Sequence, residues 1–400
     1  MLGKLDGVVV ANQSRLKDEV IAKYVSALPQ GEYLQQESAE RLLRRLNRLS
    51  GITTQAGLQA GQTVGGTALQ LLLADTQRID TLVYTDNYGG EFSGRYRLGA
   101  QVTVSNVTGV GDKVYLGGLT TNHDMHNYQI GYERPMGLNT QLGMSYSRLD
   151  YNLGSSFREI DAVGIANTFN LYGKTAVIDN RHQYLSVIYG YTYRRLTDEM
   201  RAFDYLEKKR SHAANVGISG FYQTDNAQLN YELMYTYGHV RNQFQRSDSE
   251  GAFHKFNLDI NHLYQFHPTV QLYSGVQAQL ANKALDGSEQ FYLGGPNGVR
   301  AYPQGEASGD TGYQATVELR YLVPQLPNLT IKSFIDWGAV KTKATAQWRH
   351  LAGWGIGAEY AQPNNWLVRV SYARKLDGEA NRSSRTNHDG QLWFQVVKKF

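Results

Sequence analysis

Two charged residues, an arginine in a glycine-rich loop and an aspartate in a later strand, are the first candidates for a function. Arg300 lies in Gly-Gly-Pro-Asn-Gly-Val-Arg-Ala-Tyr, and Asp336 lies in Ser-Phe-Ile-Asp-Trp-Gly. An ion pair between them can hold a loop against a strand, and removal of either member leaves the other charge without its partner. The chemistry that these residues indicate is attachment of a loop rather than catalysis.

Patterns typical of catalysis or metal binding are weak in this chain. His123 and His126 are three residues apart, and at the start of a strand this spacing places the imidazoles on opposite faces. The stretch 294–298 has the glycine content of a phosphate loop but lacks the lysine and the following helix. No Gly-x-Ser-x-Gly sequence is present. We therefore expect no enzyme activity, no bound metal and no cofactor.

The composition is typical of a strand-rich protein with an amphipathic surface. The 400 residues include 28 Tyr and 41 Gly but only 8 Pro, and the mean hydropathy of −0.46 argues against a helical membrane protein. Tyrosine suits the two rims of a bilayer, because its ring is apolar and its hydroxyl is polar. A soluble all-β protein rich in tyrosine remains an alternative at this point. The charge of +4, from 40 basic and 36 acidic residues, is too balanced to predict nucleic-acid binding.

The absence of cysteine excludes disulfides and thiolate metal sites, as in many exported bacterial proteins. The first residues have no apolar core and no cleavage site of a secretory signal. If the protein is exported, we expect the natural start of the chain to be missing here or already removed.

Residues 1–78 are expected to form a small α+β domain. The order is a strand at Val8–Val10, a helix from Leu16 to Leu28, a helix from Ser38 to Leu49, and two strands, Ile52 to Leu58 and Thr67 to Ala74. The second helix places four leucines on one face: Leu42, Leu43, Leu46 and Leu49.

From residue 79 to the end, oily and polar residues alternate with the period of a β-strand. In one segment Leu229, Tyr231, Leu233, Tyr235 and Tyr237 alternate with Gln228, Asn230, Glu232 and Thr236. Strands of about ten residues can cross a bilayer at a tilt, and a polar inner face can line water. Residues 79–400 are therefore expected to form an all-β transmembrane barrel.

We count about sixteen such strands, and an even number closes an antiparallel barrel without a free edge. They start near Asp80, Gly94, Asp112, Tyr128, Thr140, Ala162, Arg181, Arg210, Ala227, Phe253, Thr269, Gly312, Asn328, His350, Trp366 and Gln391. Sixteen strands leave an aqueous lumen. Lys208, Lys209 and Arg210 are expected to lie in a solvated loop.

The segment 282–311 does not alternate and is long for a loop in a compact protein, which favours a function. Gly298-Val299-Arg300-Ala301-Tyr302 resembles the Val-Arg-Gly-Tyr signature of outer-membrane polypeptide transporters, and Phe334-Ile-Asp336-Trp-Gly338 resembles their Phe-x-Asp-x-Gly strand signature. The sequences at 86–89 and 93–94 resemble the two-partner secretion (TpsB) branch, which exports haemolysins, adhesins and contact-dependent inhibition toxins. Residues 1–78 are similar to a POTRA domain.

This resemblance implies that the loop folds into the barrel and that Arg300 pairs with Asp336. The alternation agrees independently: Thr330, Lys332, Phe334 and Asp336 are expected to face the lumen, and Leu329, Ile331 and Ile335 the lipid. Ala301 replaces the usual glycine of the loop signature, so a positive φ is not expected there.

The last strand ends on Phe400, with Phe394 and Val396 on the same face, which resembles the signal by which the barrel assembly machinery inserts outer-membrane barrels. Lys398 interrupts that apolar face.

The resemblance implies a transporter in the outer membrane of a Gram-negative bacterium, with its POTRA domain in the periplasm. It implies export without ATP of a large, unfolded passenger that carries an N-terminal secretion domain, and contact with outer-membrane lipids. A groove beside Leu42, Leu43, Leu46 and Leu49, together with a POTRA strand edge, is expected to bind the passenger.

Family members usually also carry a signal peptide, a pore-plugging helix, a linker and a further POTRA domain. The alternative function is an assembly factor that inserts other barrels, and a diffusion porin is a third possibility.

Overall fold

The computed structural model describes residues 4–29, 31–154, 161–244, 248–377 and 389–400. The N-terminal unit consists of β1 (Lys4–Gln13), α1 (Asp18–Val25), α2 (Gln36–Asn47), β2 (Ile52–Ala60) and β3 (Gly66–Asp75). Its sheet has the order β1-β3-β2, with β1 parallel and β2 antiparallel to β3. Two helices bridge β1 and β2, because the parallel pairing of β1 with β3 requires a long crossover.

Leucines of α2 and β3 fill the core of this unit together with residues of α1. Leu42, Leu46 and Leu49 are buried in it, and Leu43 packs against it. The prediction that these leucines line an open passenger-binding groove is therefore wrong, because the face that makes α2 amphipathic is used to bury the helix on its own sheet. No helix in the described part of the chain has the length and hydropathy needed to cross a membrane.

Sixteen antiparallel strands form a closed barrel, which confirms the predicted architecture. They are β4 (Ile79–Asp86), β5 (Arg97–Ser105), β6 (Lys113–Thr121), β7 (His126–Met136), β8 (Thr140–Asn152), β9 (Ala162–Asp179), β10 (Gln183–Met200), β11 (Tyr205–Gln223), β12 (Ala227–Asn242), β13 (Gly251–His267), β14 (Val270–Ala281), β17 (Thr311–Leu322), β18 (Leu329–Lys341), β19 (Trp348–Ala361), β20 (Trp366–Lys375) and β21 (Gly390–Lys399). The loop between β14 and β17 contains two short paired strands, β15 (Phe291–Leu293) and β16 (Ala307–Gly309).

The oily face of the barrel strands points outward. On β18 the side chains of Ile331 and Ile335 are exposed, whereas Phe334 and Asp336 between and beside them are buried. Continuous rows of exposed apolar side chains are unfavourable in water and require a lipid environment. This arrangement excludes the soluble all-β alternative, in which the same rows would pack against one another.

One side of the barrel is taller than the predicted ten-residue strands. β9 to β13 contain 18, 18, 19, 16 and 17 residues. β11 begins at Tyr205, so Lys208, Lys209 and Arg210 lie in a strand and their placement in a loop was wrong. Lys209 points inward to the carboxylates of Glu207 (2.8 Å) and Asp286 (2.9 Å), whereas its two basic neighbours are exposed.

The barrel closes between its last strand and its first through a short ladder. β21 and β4 pair over only five residues on each strand, Gln395–Lys399 with Leu82–Asp86. Asn87 extends this ladder with its side chain: its amide donates to the Leu392 carbonyl (2.8 Å), and its oxygen accepts from the Phe394 N–H (2.9 Å). A carboxamide presents the same donor and acceptor as a peptide group, so Asn87 satisfies backbone groups that the shorter strand leaves unpaired.

The C-terminal residues lie at this closure. Phe394, Val396 and Phe400 share the outer face of β21 with Lys398. The ammonium of Lys398 lies 4.8 Å from the centre of the Trp366 ring and 5.3 Å from that of Phe400. The lysine is therefore accommodated on an apolar face by aromatic rings at the rim.

The N-terminal unit is attached to the barrel turns through side chains of both helices. Arg48 donates two hydrogen bonds of 2.8 Å to the carboxylate of Asp179, and Arg44 donates a third of 3.2 Å. The Tyr24 hydroxyl donates to the carbonyl of Gly137 in another turn (3.2 Å). Because these turns lie at one rim, the N-terminal unit marks that rim, which we call the proximal rim; the opposite end of the strands is the distal rim.

Candidate functional site

The segment between β14 and β17 folds back into the barrel lumen. Gly294 and Gly295 follow β15 and have φ values of +89° and +90°, a conformation that favours glycine. The Gly295 N–H donates to the Tyr302 carbonyl (3.0 Å), and the Tyr302 N–H donates to the Val299 carbonyl (3.1 Å). These bonds form a compact tip that presents Arg300 to the wall. Ala301 has no positive φ, as expected.

Arg300 and Asp336 are in direct contact. The guanidinium donates to both carboxylate oxygens, from Nε at 2.8 Å and from Nη2 at 2.7 Å. The backbone N–H of Arg300 donates to the same carboxylate at 3.1 Å. The Asp336 side chain is 1% exposed and that of Arg300 is 11% exposed, so the pair is shielded from bulk water. Such a bidentate arrangement fixes orientation as well as distance.

A second carboxylate completes the surroundings of the guanidinium. Nη1 donates to Glu318 at 2.6 Å, and Nη2 donates to the Thr316 hydroxyl at 2.9 Å. Arg320 holds the other oxygen of Glu318 with two bonds, of 2.9 and 2.7 Å. The Phe334 ring lies under the guanidinium, 3.3 Å from its centre to Cζ. Every nitrogen of the Arg300 guanidinium therefore has a partner on β17 or β18.

Arg300 lies on the loop, outside the spanning strands. Burial by itself lowers the pKa of its guanidinium, but the hydrogen bonds and charge of Asp336, together with the charge of Glu318, outweigh burial and raise the pKa above its usual value. Arg300 therefore stays charged at any physiological pH.

Three further contacts, which the sequence analysis did not predict, attach the loop to the wall. The Trp393 indole N–H on β21 donates to the Arg300 carbonyl (2.7 Å). Arg349 on β19 forms an ion pair with the buried carboxylate of Glu306, and the Tyr302 hydroxyl donates to Asp377. The loop thus contacts β17, β18, β19 and β21. Partners this far apart in sequence leave no local pattern, although the single Trp393 on a polar strand face is an unusual residue for that place.

Glycines on the wall provide space for the loop. A Cβ added at Gly338 would lie 2.9 Å from Leu293 and 2.7 Å from the Tyr313 carbonyl, and one added at Gly353 would overlap the methyl group of Ala301. Leu293, Val299, Ala301 and Tyr302 form a small buried cluster with Phe334 and residues of β18 to β20. Gly298 has a related constraint, because its Cβ would meet the Gln314 side chain at 2.8 Å. The signature residues therefore combine an ion pair with close packing.

A polar cavity of about 550 Å³ lies beside the loop tip. Its wall carries the ladder in which Glu359 accepts from Lys332 and Arg369, both at 2.8 Å. Among the residues that the structure describes, no group of three or more His, Cys, Asp or Glu is placed to hold a metal ion. Residues of the loop tip, Pro296 to Gly298 and Arg300, form part of the lining of this cavity.

The sequence matches a known family over most of its length. The family described as haemolysin secretion/activation protein ShlB/FhaC/HecB matches residues 65–360. The heme/hemopexin transporter protein HuxB of Haemophilus influenzae is 26% identical over 420 aligned residues, which cover 100% of this chain and 74% of that protein. The outer membrane transporter CdiB of Dickeya dadantii is 22% identical over 388 residues, covering 91% of this chain and 68% of CdiB.

Solved structures have the same fold. CdiB from Escherichia coli superposes with a TM-score of 0.83 at 18% identity, covering 100% of this chain and 77% of that chain. BamA from Haemophilus ducreyi, lacking POTRA domains 1–3, superposes with a TM-score of 0.68 at 14% identity, covering 99% of this chain and 84% of that one.

Substitution of Asp336 by alanine should release the loop tip. The change leaves Arg300 with Glu318 but without its bidentate partner, and loss of one member of a buried pair costs roughly 3–5 kcal/mol. Arg300 is itself a trypsin site, so we expect cleavage after Arg300 in the variant and protection in the wild type, measured by mass spectrometry of the fragments. Glu359→Ala is the matched control, because it breaks an ion pair in the same lumen that does not involve the loop. Equal protection in Asp336→Ala and the wild type would show that the pair does not hold the loop.

Proposed function

The chain belongs to the haemolysin secretion/activation protein (ShlB/FhaC/HecB) family of two-partner secretion transporters (TpsB) of the Gram-negative outer membrane, and on this premise we propose that it exports a large, unfolded exoprotein through its barrel without ATP. The passenger is an adhesin, a haemolysin or a contact-dependent inhibition toxin with an N-terminal secretion domain. The N-terminal unit is a POTRA domain in the periplasm. The protein has no enzymatic role in this proposal.

The attachment of the loop tip inside a polar lumen is the observation that carries the proposal. The tip is held by one fully satisfied guanidinium and by contacts to β17, β18, β19 and β21. Charged ladders line the space beside it, so an extended chain meets water and charge rather than an apolar surface on which it would stop. Displacement of the loop then opens the path.

The direction of transport comes from the passenger. The periplasm supplies no ATP. We propose that the passenger folds on the outer side, and that folding lowers the concentration of unfolded chain that can move back through the barrel. The barrel provides a path and the passenger provides the free energy.

The free edge of β2 is the proposed binding site for the passenger. β2 pairs with β3 and, in the described residues, with no other strand. Asn47 already occupies the Thr54 backbone, accepting from its N–H (2.6 Å) and donating to its carbonyl (3.2 Å). Because outward-facing backbone groups alternate along an edge, Ala56, Leu58 and Ala60 present the remaining donors and acceptors. An added strand would bind there through main-chain hydrogen bonds, which tolerate many passenger sequences.

The alternative is a factor that inserts other barrels into the membrane. The similarity to BamA concerns the fold alone. The two functions differ in their consequences, because loss of an assembly factor lowers the amounts of unrelated outer-membrane proteins, whereas loss of a secretion transporter removes one protein from the medium.

Export should depend on the ion pair of the loop. We expect Asp336→Ala and Arg300→Ala to insert normally but to lower secretion of the exoprotein encoded beside this gene by roughly tenfold or more, because each removes the bidentate pair and leaves an unattached loop in the path. The assay compares passenger in the medium with heat-modifiable barrel in the membrane, and Asp150→Ala, which removes an exposed pair with Arg148, is the control. Wild-type secretion by both variants would exclude the loop mechanism. Loss of unrelated outer-membrane proteins on deletion of the gene would favour the assembly factor.

Passenger capture should depend on the main chain of β2. Leu58→Pro removes an outward N–H from an edge strand, where proline is tolerated, and should weaken binding of the passenger secretion domain by roughly tenfold. Leu58→Ala keeps the N–H and removes the exposed side chain, so it should bind like the wild type. Isothermal titration measures both. If Leu58→Ala has the larger effect, the side chain rather than strand addition determines binding.

A further inference from the structure

Three arginines lie side by side on the outer surface of the tall side of the barrel. Arg195 on β10 is directly opposite Arg210 on β11, which is directly opposite Arg241 on β12. All three side chains are exposed on the outward face. With strands about 4.8 Å apart, the three lie within roughly 10 Å of one another. We call these three residues the arginine row.

The arginine row has no counter-charge of its own. No carboxylate in the described part of the chain lies within ion-pair distance of Arg195, Arg210 or Arg241. Arg195 only donates to its neighbour Tyr193 (2.7 Å). The nearest outward carboxylate on β10, that of Glu199, is four residues further out and contacts Arg201. Like charges directly opposite one another on a sheet are unfavourable, so such a row predicts an external anion.

The next position along the row provides a contrast. Arg195 is opposite Asn167 on β9, and Asn167 is opposite Arg148 on β8. Arg148 lies on the same outer face at the same level but has a carboxylate partner, Asp150, at 2.8 Å. Of the four arginines at this level of the outer face, Arg148 has a carboxylate partner and the three members of the arginine row have none among the described residues.

The position of the arginine row along the barrel axis indicates that the anion belongs to a lipid headgroup. On the outer face of β11, Tyr222 lies near the proximal rim, Val216 and Ile218 follow, and His212 lies below Arg210. Tyr222 and His212 are ten residues apart, which at a strand tilt of about 40° corresponds to roughly 25 Å, the height of the apolar band of outer-membrane barrels. The arginine row therefore lies just beyond that band, at the level of lipid headgroups.

A belt of rings separates the apolar band from the arginine row. Tyr193, His212 and His239 are directly opposite one another on the same three strands, and each lies two residues below an arginine of the row. Moving toward the distal rim along β11, a lipid molecule would meet aliphatic side chains, then an imidazole ring, then a guanidinium group. On β10 and β12 tyrosines begin lower, with Tyr189 and Tyr235 beside Val216, and the arginines again come last. This order matches acyl chains, glycerol or sugar, and phosphate.

We propose that the arginine row binds the phosphate groups of a phosphorylated glycolipid of the outer leaflet, of the lipid A type. Guanidinium groups bind phosphate oxygens in a bidentate manner, and phosphates placed between neighbouring arginines turn their repulsion into attraction. The inference rests on the proposed orientation, in which the N-terminal unit is periplasmic and the distal rim is extracellular. In this proposal the outer surface of the long strands β10, β11 and β12 binds a specific lipid and not the passenger.

The test measures binding of purified lipid A to the full chain in detergent by native mass spectrometry. A variant with Arg195→Gln, Arg210→Gln and Arg241→Gln should bind bisphosphorylated lipid A roughly a hundredfold more weakly than the wild type, since each basic residue near an anionic surface contributes about a fivefold effect. Arg148→Gln should bind like the wild type. Dephosphorylated lipid A with the same acyl chains should bind the wild type as weakly as bisphosphorylated lipid A binds the triple variant.

Several outcomes would overturn the proposal. These are equal binding by the triple variant, equal binding of dephosphorylated lipid A, equally tight binding of phosphatidylglycerol, or full displacement by inorganic phosphate, which would indicate a site for the free anion. Heat-modifiable migration verifies that each variant is folded. A triple Arg→Lys variant keeps the charge but not the bidentate geometry, so it should bind more tightly than the triple Arg→Gln variant and less tightly than the wild type. Because no passenger is present, failure here would leave the secretion proposal intact, and wild-type secretion by Asp336→Ala, which would exclude the loop mechanism, would leave this one intact.

Discussion

A charged guanidinium buried inside the barrel is the constraint from which the position of the loop follows. Arg300 can stay there only because Asp336 and Glu318 accept its hydrogen bonds and Thr316 accepts a further one. Those acceptors lie on two adjacent strands, so the loop tip has one place on the wall that satisfies it. The close packing of Leu293 and Ala301 over wall glycines then adds shape complementarity to the charge interaction.

The two faces of the strands have separate tasks. The outer face carries rows of exposed apolar side chains and the arginine row beyond them, whereas the inner face carries ion pairs such as Lys332 with Glu359. Closure of the sheet is weakest where β21 meets β4, and there Asn87 replaces peptide groups with its own carboxamide. The carboxamide of Asn87 therefore compensates for part of the short final ladder, because backbone groups facing lipid need partners within the protein.

Alternation of oily and polar residues with a period of two made most of the fold predictable from the sequence, because each barrel strand has lipid on one side and water on the other. The sixteen strands and their starts were predictable for that reason. β11 was the exception. Lys208, Lys209 and Arg210 are three consecutive basic residues, so the sequence does not show that Lys209 faces the lumen and its two neighbours the outer surface. The leucines of α2 led to the wrong prediction of a binding groove. A helix has the same amphipathic pattern whether its apolar face is buried, as here, or open.

At the candidate site, the signature residues identified Arg300 and Asp336 but not the other contacts of the loop. Glu318 is one of many polar residues on a lumen face, and Trp393, Glu306 and Arg349 contact their partners over long sequence separations. No local spacing distinguishes these residues from neighbours that only face water. Only the closed barrel, which brings β21 beside the loop tip, reveals them.

The central claim is that Arg300 and Asp336 hold the loop by acting on each other, and a double-mutant cycle tests it most directly. The quantity to measure is the free energy of loop opening, obtained from hydrogen exchange of the Tyr302 amide in the wild type, Arg300→Met, Asp336→Asn and the double variant. The account predicts a coupling energy of about 1.5–3 kcal/mol between the two residues. Effects that add to within about 0.5 kcal/mol would contradict it.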